Sequence, residues 1–258
     1  MSITIETRNP TVFVSLPAYA LGKTLGLDAA MKELHRQVEH PDAASLPAAR
    51  VIARLRTLAD IGLRIDTGGT QLCAVRSRHA DEAWKSGAPI WFSVDDDNEA
   101  TTDTLRYMLE AVSDLDVPRI VIAPYIIRGG ETLTHVMVNV DLPRIVTTER
   151  RLPMSGARLR PVSKGGFGLV AMNRAALGAV RDACEHLAYI DTDGVERLAL
   201  FFAEIRDKRW LHDDFSFFAR VPKHVTVEAL LTGVTSHAGE SLDLRAVEGT
   251  ELCVEALS

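Results

Sequence analysis

The chain has 258 residues, 47% of them hydrophobic and 25% charged, with a formal net charge of −6. This is a globular composition, long enough for one large domain or two small ones. No apolar run approaches the roughly 20 residues of a membrane span, and the negative balance argues against a generic nucleic-acid coat while leaving room for a local basic surface.

Met1–Pro10 is mostly polar and carries Glu6 and Arg8, and Val12–Leu16 is too short for the apolar core of a secretion signal, so no leader is expected. Cys73, Cys184 and Cys253 are odd in number and lack metal-type spacing. That favours a reducing compartment without disulfides, and hence the cytoplasm.

Thr11–Leu16 reads as a first buried strand ended by Pro17. Two helices follow: Asp28–Glu39, with Met31, Leu34 and Val38 on one stripe, and Pro47–Ile61, with Val51, Leu55, Leu58 and Ile61, ended by Gly62. Leu63–Asp66 is a short strand stopped by Gly68-Gly69, and Gln71–Lys85 is a helix closed by Gly87.

Ile90, Trp91, Phe92, Ser93 and Val94 form an apolar run that ends in Asp95, Asp96 and Asp97. The run predicts a strand buried on both faces. Three carboxylates at its exit repel one another, and burying any of them uncompensated costs several kcal/mol. A divalent cation with oxygen ligands, Mg²⁺ or Mn²⁺, resolves that conflict, and ligands of open α/β sheets bind at the carboxyl ends of strands. A solvated acidic turn before a helix N-terminus is the other reading of the same residues.

Thr101 or Thr102 caps the next helix, in which Leu105, Met108, Leu109 and Val112 recur at helical spacing. Arg119–Pro124 and His135–Val140 are strands. Between Arg144 and Lys164 the chain carries Arg144, Arg150, Arg151, Arg158, Arg160 and Lys164 against one acid, Glu149. Pro153, Ser155, Gly156 and Pro161 mark this segment as loop, either solvated or a flap over an anionic ligand. A glycine-rich strand at Gly165–Met172, a helix at Arg174–Leu187, an apolar run at Leu198–Ile205, a helix at Asp213–Arg220 and a last strand at Val225–Val234 complete the series. Strands alternating with helices define an α/β domain with a mainly parallel central sheet flanked by helices.

Three further features bear on chemistry. Gly165-Gly166-Phe167-Gly168 lets backbone approach a ligand, or simply bends a strand. Of Asp213 and Asp214, one serves as a helix-terminal acid and the other is left for general-base work or for a ligand hydroxyl. His237 follows the last strand and offers an imidazole, a good ligand for transition-metal ions. No P-loop, GxGxxG, GxSxG or HExxH pattern is present.

Taken in order, these residues resemble a nucleotide-sugar-dependent glycosyltransferase of the GT-A fold. The likeness runs from the first strand at Val12–Pro17, through Arg76-Ser77-Arg78-His79 and Asp95-Asp96-Asp97, to Gly165–Gly168, Asp213-Asp214 and His237. The resemblance implies a single Rossmann-type α/β domain over 1–258, with a nucleotide-binding half at about 11–125, an acceptor half at about 126–240 and a tail at 241–258. It implies a nucleoside-diphosphate sugar as donor and a divalent cation held by Asp97 and His237, with Asp95 on the donor ribose or on the metal through water. Pro17, Arg78, Asp95, Asp96, Gly165 and Gly166 would line the donor site. Asp214 would deprotonate the acceptor hydroxyl if the anomeric centre inverts, with Asp213 orienting the acceptor. An anionic acceptor (a glycan, a lipid-linked molecule or modified nucleic acid) would suit the basic segment. The chain departs from the family at Asp213, where many relatives have Glu, and at His79, where an Asn often follows the Arg. The rivals are a nucleotidyltransferase, which lacks support because no glycine-rich loop follows the first strand, and a silent nucleotide-sugar-binding domain, against which the full set of acids speaks.

Overall fold

Val12–Ala18, Ile90–Val94, Arg119–Ile122 and Leu169–Asn173 are buried along almost their whole lengths, as strands covered on both faces must be. A computed structural model of the chain describes residues 2–5, 10–18, 27–42, 45–67, 72–126, 149–237 and 240–244. Along the chain, β1 (Ser2–Ile5) and β2 (Val12–Ala18) are followed by α1 (Leu27–Glu39), α2 (Pro47–Arg56), β3 (Ile61–Thr67) and α3 (Leu72–Ser86). Next come β4 (Ile90–Val94), β5 (Asn98–Ala100), α4 (Thr102–Ala111), β6 (Arg119–Ile122), β7 (Arg150–Arg151) and β8 (Arg158–Pro161). Then β9 (Leu169–Asn173) and α5 (Arg174–Ala183) precede two small hairpins, β10 (Ala188–Ile190) with β11 (Glu196–Leu198) and β12 (Glu204–Arg206) with β13 (Arg209–Leu211). The series ends with α6 (Asp213–Arg220), β14 (Thr226–Leu230), β15 (Val234–His237) and β16 (Glu240–Asp243).

The main sheet has the order β1-β3-β2-β4-β9-β6-β14-β8-β7 among the described residues. It is mixed rather than mainly parallel. β3, β2 and β4 are parallel neighbours, as are β6 and β14, but β9 runs against both β4 and β6. β1 and β8 are also antiparallel to their neighbours. β3, β2, β4, β6 and β14 therefore point the same way, and their carboxyl ends share one edge of the sheet. The chain leaves β2 for β3 on one side and returns to β4 on the other, so the strand order reverses between β2 and β4, the kind of position at which α/β sheets bind ligands.

Helices flank the sheet in two packed groups, α1 with α2 and α4, and α3 with α5. Their ends follow local chemistry. Pro47 starts α2, Thr101 caps α4 by accepting from the Thr104 N–H, and Asn173 caps α5 by accepting from the Ala176 N–H. Gly87, at φ +75°, follows α3 as expected of a terminator. No helix among the described residues is long and apolar enough to cross a membrane.

Several boundaries differ from the sequence reading. β2 runs through Pro17 to Ala18, because its pairing with β4 stops at Ser15 and proline is tolerated on the free edge beyond. The helix expected over Pro47–Ile61 ends at Arg56, and Ile61 and Gly62 open β3 instead. Gly165–Gly168 precede β9 rather than forming it. The expected helix Arg174–Leu187 stops at Ala183 and is followed by a 3₁₀ turn, Glu185–Leu187. Leu198–Ile205 is divided between β11 and β12, with Leu200 and Phe201 buried between them. Val225–Val234 splits into β14 and β15 at Gly233, whose φ is +121° and beside which a Cβ would stand 2.3 Å from Thr104 Oγ1. Gly68-Gly69, His135–Val140, Arg144, Cys253 and the Met31 and Leu34 side chains lie outside the described residues, as does most of the tail.

Beneath the carboxyl edge lies an aromatic cluster. Phe167 meets Trp91 at 5.6 Å, Phe201 at 4.7 Å and Phe217 at 5.0 Å between ring centroids. Trp91 Nε1–H donates to Ser15 Oγ at 2.9 Å, so its one polar group is satisfied. The cluster joins β4, the approach to β9 and α6, and so fixes the acids at the ends of β4 and α6 relative to each other.

Candidate active site

β4 releases the chain at Val94, and Asp95 is tied down at once by its N–H to the Gly168 carbonyl at 2.8 Å. Asp96 and Asp97 form a turn, closed by Asn98 N–H on the Asp95 carbonyl at 3.2 Å, and β5 begins. β5 pairs antiparallel with β15 in a small separate sheet, and the register sets Asn98 opposite His237. His237 Nε2 thereby comes to 3.1 Å from Asp97 Oδ2, while Asn98 Nδ2 donates to Asp97 Oδ1 at 3.2 Å. The Tyr125 ring lies against the imidazole at 4.9 Å between centroids. His237 Nδ1 is buried without a hydrogen-bond partner among the described residues.

A carboxylate and an imidazole held this way suit a cation that takes its remaining ligands from water and phosphate oxygens. Among the described residues this pair supplies two groups, and no cluster of three or more His, Cys, Asp or Glu able to hold a metal occurs there. Asp95, the other residue expected near the metal, faces elsewhere. Both of its oxygens accept from Arg76 Nη2, at 3.0 and 2.7 Å.

Arg76 is the centre of the second cluster. Its side chain is only 3% exposed, and Nη1 reaches Asp213 Oδ2 at 3.1 Å as well as Asp214 Oδ1. One guanidinium thus joins the end of β4 to the first turn of α6. Asp214 also accepts the Phe167 N–H on Oδ2 at 3.1 Å. Burial pushes the Asp214 carboxyl up to about 6, opposed by Arg76 and assisted by the neighbouring Asp213 and Asp95. Burial, with Asp95 and Asp214 nearby, keeps the Tyr125 phenol protonated.

The other donor-side expectations fall at the end of β3. Pro17 is paired in register with Asp66. Asp66 Oδ2 accepts from His79 Nε2 at 2.8 Å. Burial alone would raise Asp66, but His79, Arg64 and Arg78 outweigh it and hold the carboxyl below its ordinary value. Burial also lowers His79, against the pull of Asp66, so the imidazole is neutral. Arg78 does not point to Asp95. It donates to Asp191 Oδ2 from Nε at 3.2 Å and from Nη2 at 3.1 Å. Gly165 and Gly166 lead into Phe167, whose N–H Asp214 accepts.

In the described part of the basic segment, Arg150, Arg151, Arg158 and Arg160 lie at the far edge of the sheet on either side of an exposed turn at 153–156, away from the described site. Arg150 and Arg158–Pro161 belong to a hairpin at the far edge of the sheet, where Arg150 Nη2 meets the buried Glu228 at 2.6 Å. Arg158 and Arg160 both pair with Glu149, at 2.9 and 3.2 Å. These cations answer acids of their own scaffold.

In the sequence Arg76 stands out only as part of a motif, and Tyr125, Asn98 and the particular need for Gly168 carry no local signal. Helical spacing was the available signal for Arg76: Arg76, His79, Ala80 and Ala83 share the buried face of α3, and Arg78 falls off it. A Cβ on Gly168 would stand 2.6 Å from Asn98 Nδ2 and 2.8 Å from Tyr125 Oη. Gly168→Ala is expected to destabilise the protein by about 1–3 kcal/mol, as overpacking does, and to displace Tyr125 from His237. Thermal melting and the near-ultraviolet tyrosine signal measure both effects, and an unchanged melt would show that this approach is not tight.

No protein-family profile matches the chain, and no curated protein matches it. Among solved structures it is similar to the crystal structure of A197 from STIV, with 14% sequence identity, a TM-score of 0.48, and 91% of this chain and 90% of that chain covered. Function has to be argued from this chain's own side chains.

Proposed function

We propose that the protein is a metal-dependent glycosyltransferase of the GT-A type, moving a sugar from a nucleoside-diphosphate sugar to an acceptor hydroxyl. One observation carries the reading. The carboxyl edge of the sheet gathers two separate acid sets, Asp97 with His237 and Asp213 with Asp214, and Asp95 with Arg76 stands between them. Transfer from a diphosphate needs two kinds of help: a counter-charge for the leaving group, and a base for a hydroxyl that is a poor nucleophile at neutral pH.

Asp97 and His237 would hold the divalent cation, which when bound neutralises the charge that develops on the diphosphate. Pro17, Asp96 and Asp95 stand at the carboxyl ends of β2 and β4 and would contact the donor nucleotide, with the Asp95 carboxylate, which Arg76 also holds, accepting from ribose hydroxyls. Asp214 would take the acceptor proton on its carboxylate, and its value near 6 leaves it both ionised and basic at neutral pH. Asp213 would orient the acceptor.

The test is a donor screen with Mn²⁺ that measures nucleotide release across UDP-, GDP-, CMP- and dTDP-sugars, with and without simple sugar acceptors. Release from one base class, abolished by chelator, is expected. Pyrophosphate released from a nucleoside triphosphate and a sugar phosphate would instead make the protein a nucleotidyltransferase. Nucleotide binding without turnover would make it a silent binding domain.

A further inference from the structure

Arg76 contributes a single positive charge to three carboxylates that come from different parts of the chain. Its Nη2 serves Asp95 at the end of β4, and its Nη1 serves both Asp213 and Asp214 on α6. A guanidinium does this because its nitrogens are held apart in one plane and reach partners on different sides, whereas a lysine ammonium has its three donors on a single atom. Among the described residues no second cation is paired with the cluster. Asp214 is faced by Asp213 from its own helix, by Asp95 from β4, by Arg76 from α3, by the Phe167 N–H from the approach to β9, and by the neutral Tyr125 phenol beyond β6. Lys164, the nearest cation in sequence to that approach, lies over the Phe215 ring at 5.0 Å. The cluster is therefore short of positive charge even with Arg76 present.

We propose that Arg76 is the positioning residue of the site: its buried guanidinium ties Asp214 to the donor-side carboxylate Asp95 and keeps Asp214 ionised. As a role in acceptor activation this rests on the glycosyltransferase reading, but the bridge itself does not. Without Arg76, three carboxylates would face one another in a partly buried space, and Asp214, already raised above its ordinary value, would be the first to take up a proton. A protonated Asp214 cannot act as a base. Arg76 thus makes acceptor activation depend on a residue that also touches the donor side, and it does so without touching the acceptor.

The experiment labels the aspartate carboxyl carbons and follows Asp214 by NMR from pH 4 to pH 9, with its signal assigned from Asp214→Asn. The variants are Arg76→Lys, Arg76→Met and Arg76→Met combined with Asp95→Asn. Asp214 is expected to titrate near pH 6 in the parent, close to that value in Arg76→Lys, and above about pH 7 in Arg76→Met. Adding Asp95→Asn, which removes one of the competing carboxylates, should bring it part of the way back. If Arg76→Met does not fold, Arg76→Gln replaces it, because the amide keeps polar contact without the positive charge and should move Asp214 in the same direction. An Asp214 signal that titrates at the parental pH in the folded variant without the charge, Arg76→Met or Arg76→Gln, overturns the proposal. The glycosyltransferase reading fails separately, when the parent releases no nucleotide from any donor, and the titration is read either way. In an active parent, Arg76→Met should lower turnover at pH 7 by about 100-fold or more while nucleotide affinity changes by less than about threefold; equal losses in both would assign Arg76 to donor binding and overturn the positioning role.

Discussion

Asp214→Asn is expected to abolish sugar transfer almost completely, by about 10²- to 10⁴-fold in turnover, while nucleotide binding stays near parental. The amide is nearly isosteric and its oxygen can still accept from Arg76 Nη1 or from the Phe167 N–H, so the first turn of α6 keeps its place. What it cannot do is accept a proton. The pH dependence gives a second readout. Because the Asp214 carboxyl lies near 6, parental turnover should fall as pH drops through about 6 and the base is protonated, and that limb should be missing from the residual rate of the variant. Stability should move the other way. The folded value lies above the ordinary 3.8, so folding favours the protonated acid, and the ionised form weighs against the fold above about pH 6. Asn at this position is therefore expected to melt no lower than the parent at pH 7.5. Parental turnover in this variant would return Asp214 to the role of a helix-terminal acid.

Much of this arrangement was legible because the relevant signals are local. The run Ile90–Val94 is short, apolar and β-branched, and it is a strand with those bounds. Thr101 caps α4 and Asp213 opens α6 where the sequence puts them. Long-range pairing was not legible. Nothing in Leu169–Asn173 says that this strand runs against β4 and β6, since a strand buried on both faces reads the same in either direction. Ile61 kept helical spacing with Leu58 by coincidence, and its place in β3 is decided by pairing with β2. The basic segment looked unpaired because the acid that Arg150 meets, Glu228, lies 78 residues away. His237 could be proposed as a partner of Asp97 only by resemblance. The geometry comes from the β5–β15 register, which no pattern within either segment encodes.

That register makes Asp97→Ala the second variant with a large expected effect. Asp97 is 47% exposed, so its contact with His237 is a surface pair, and such pairs contribute about 0–1 kcal/mol to stability. Removing the carboxylate should barely change the melting temperature. If Asp97 and His237 hold the cation, the same change removes one of only two protein ligands, and the Mn²⁺ concentration needed for half-maximal nucleotide release should rise by about 100-fold or more, beyond the 10- to 100-fold typical of residues that merely support a ligand. His237→Ala should behave alike but differ in one respect. The Tyr125 ring loses its neighbour at 4.9 Å, so the near-ultraviolet tyrosine signal should change with His237→Ala and not with Asp97→Ala. The double variant should be little worse than either single one, because two ligands of one ion act as a unit and their effects do not add. Three comparisons then separate a metal site from an ordinary ion pair: the Mn²⁺ dependence, the near-parental melts and the non-additivity. Full nucleotide release in excess chelator, or parental Mn²⁺ dependence in both single variants, would leave Asp97 and His237 as a strand-end contact and require the leaving group to be stabilised by side chains alone.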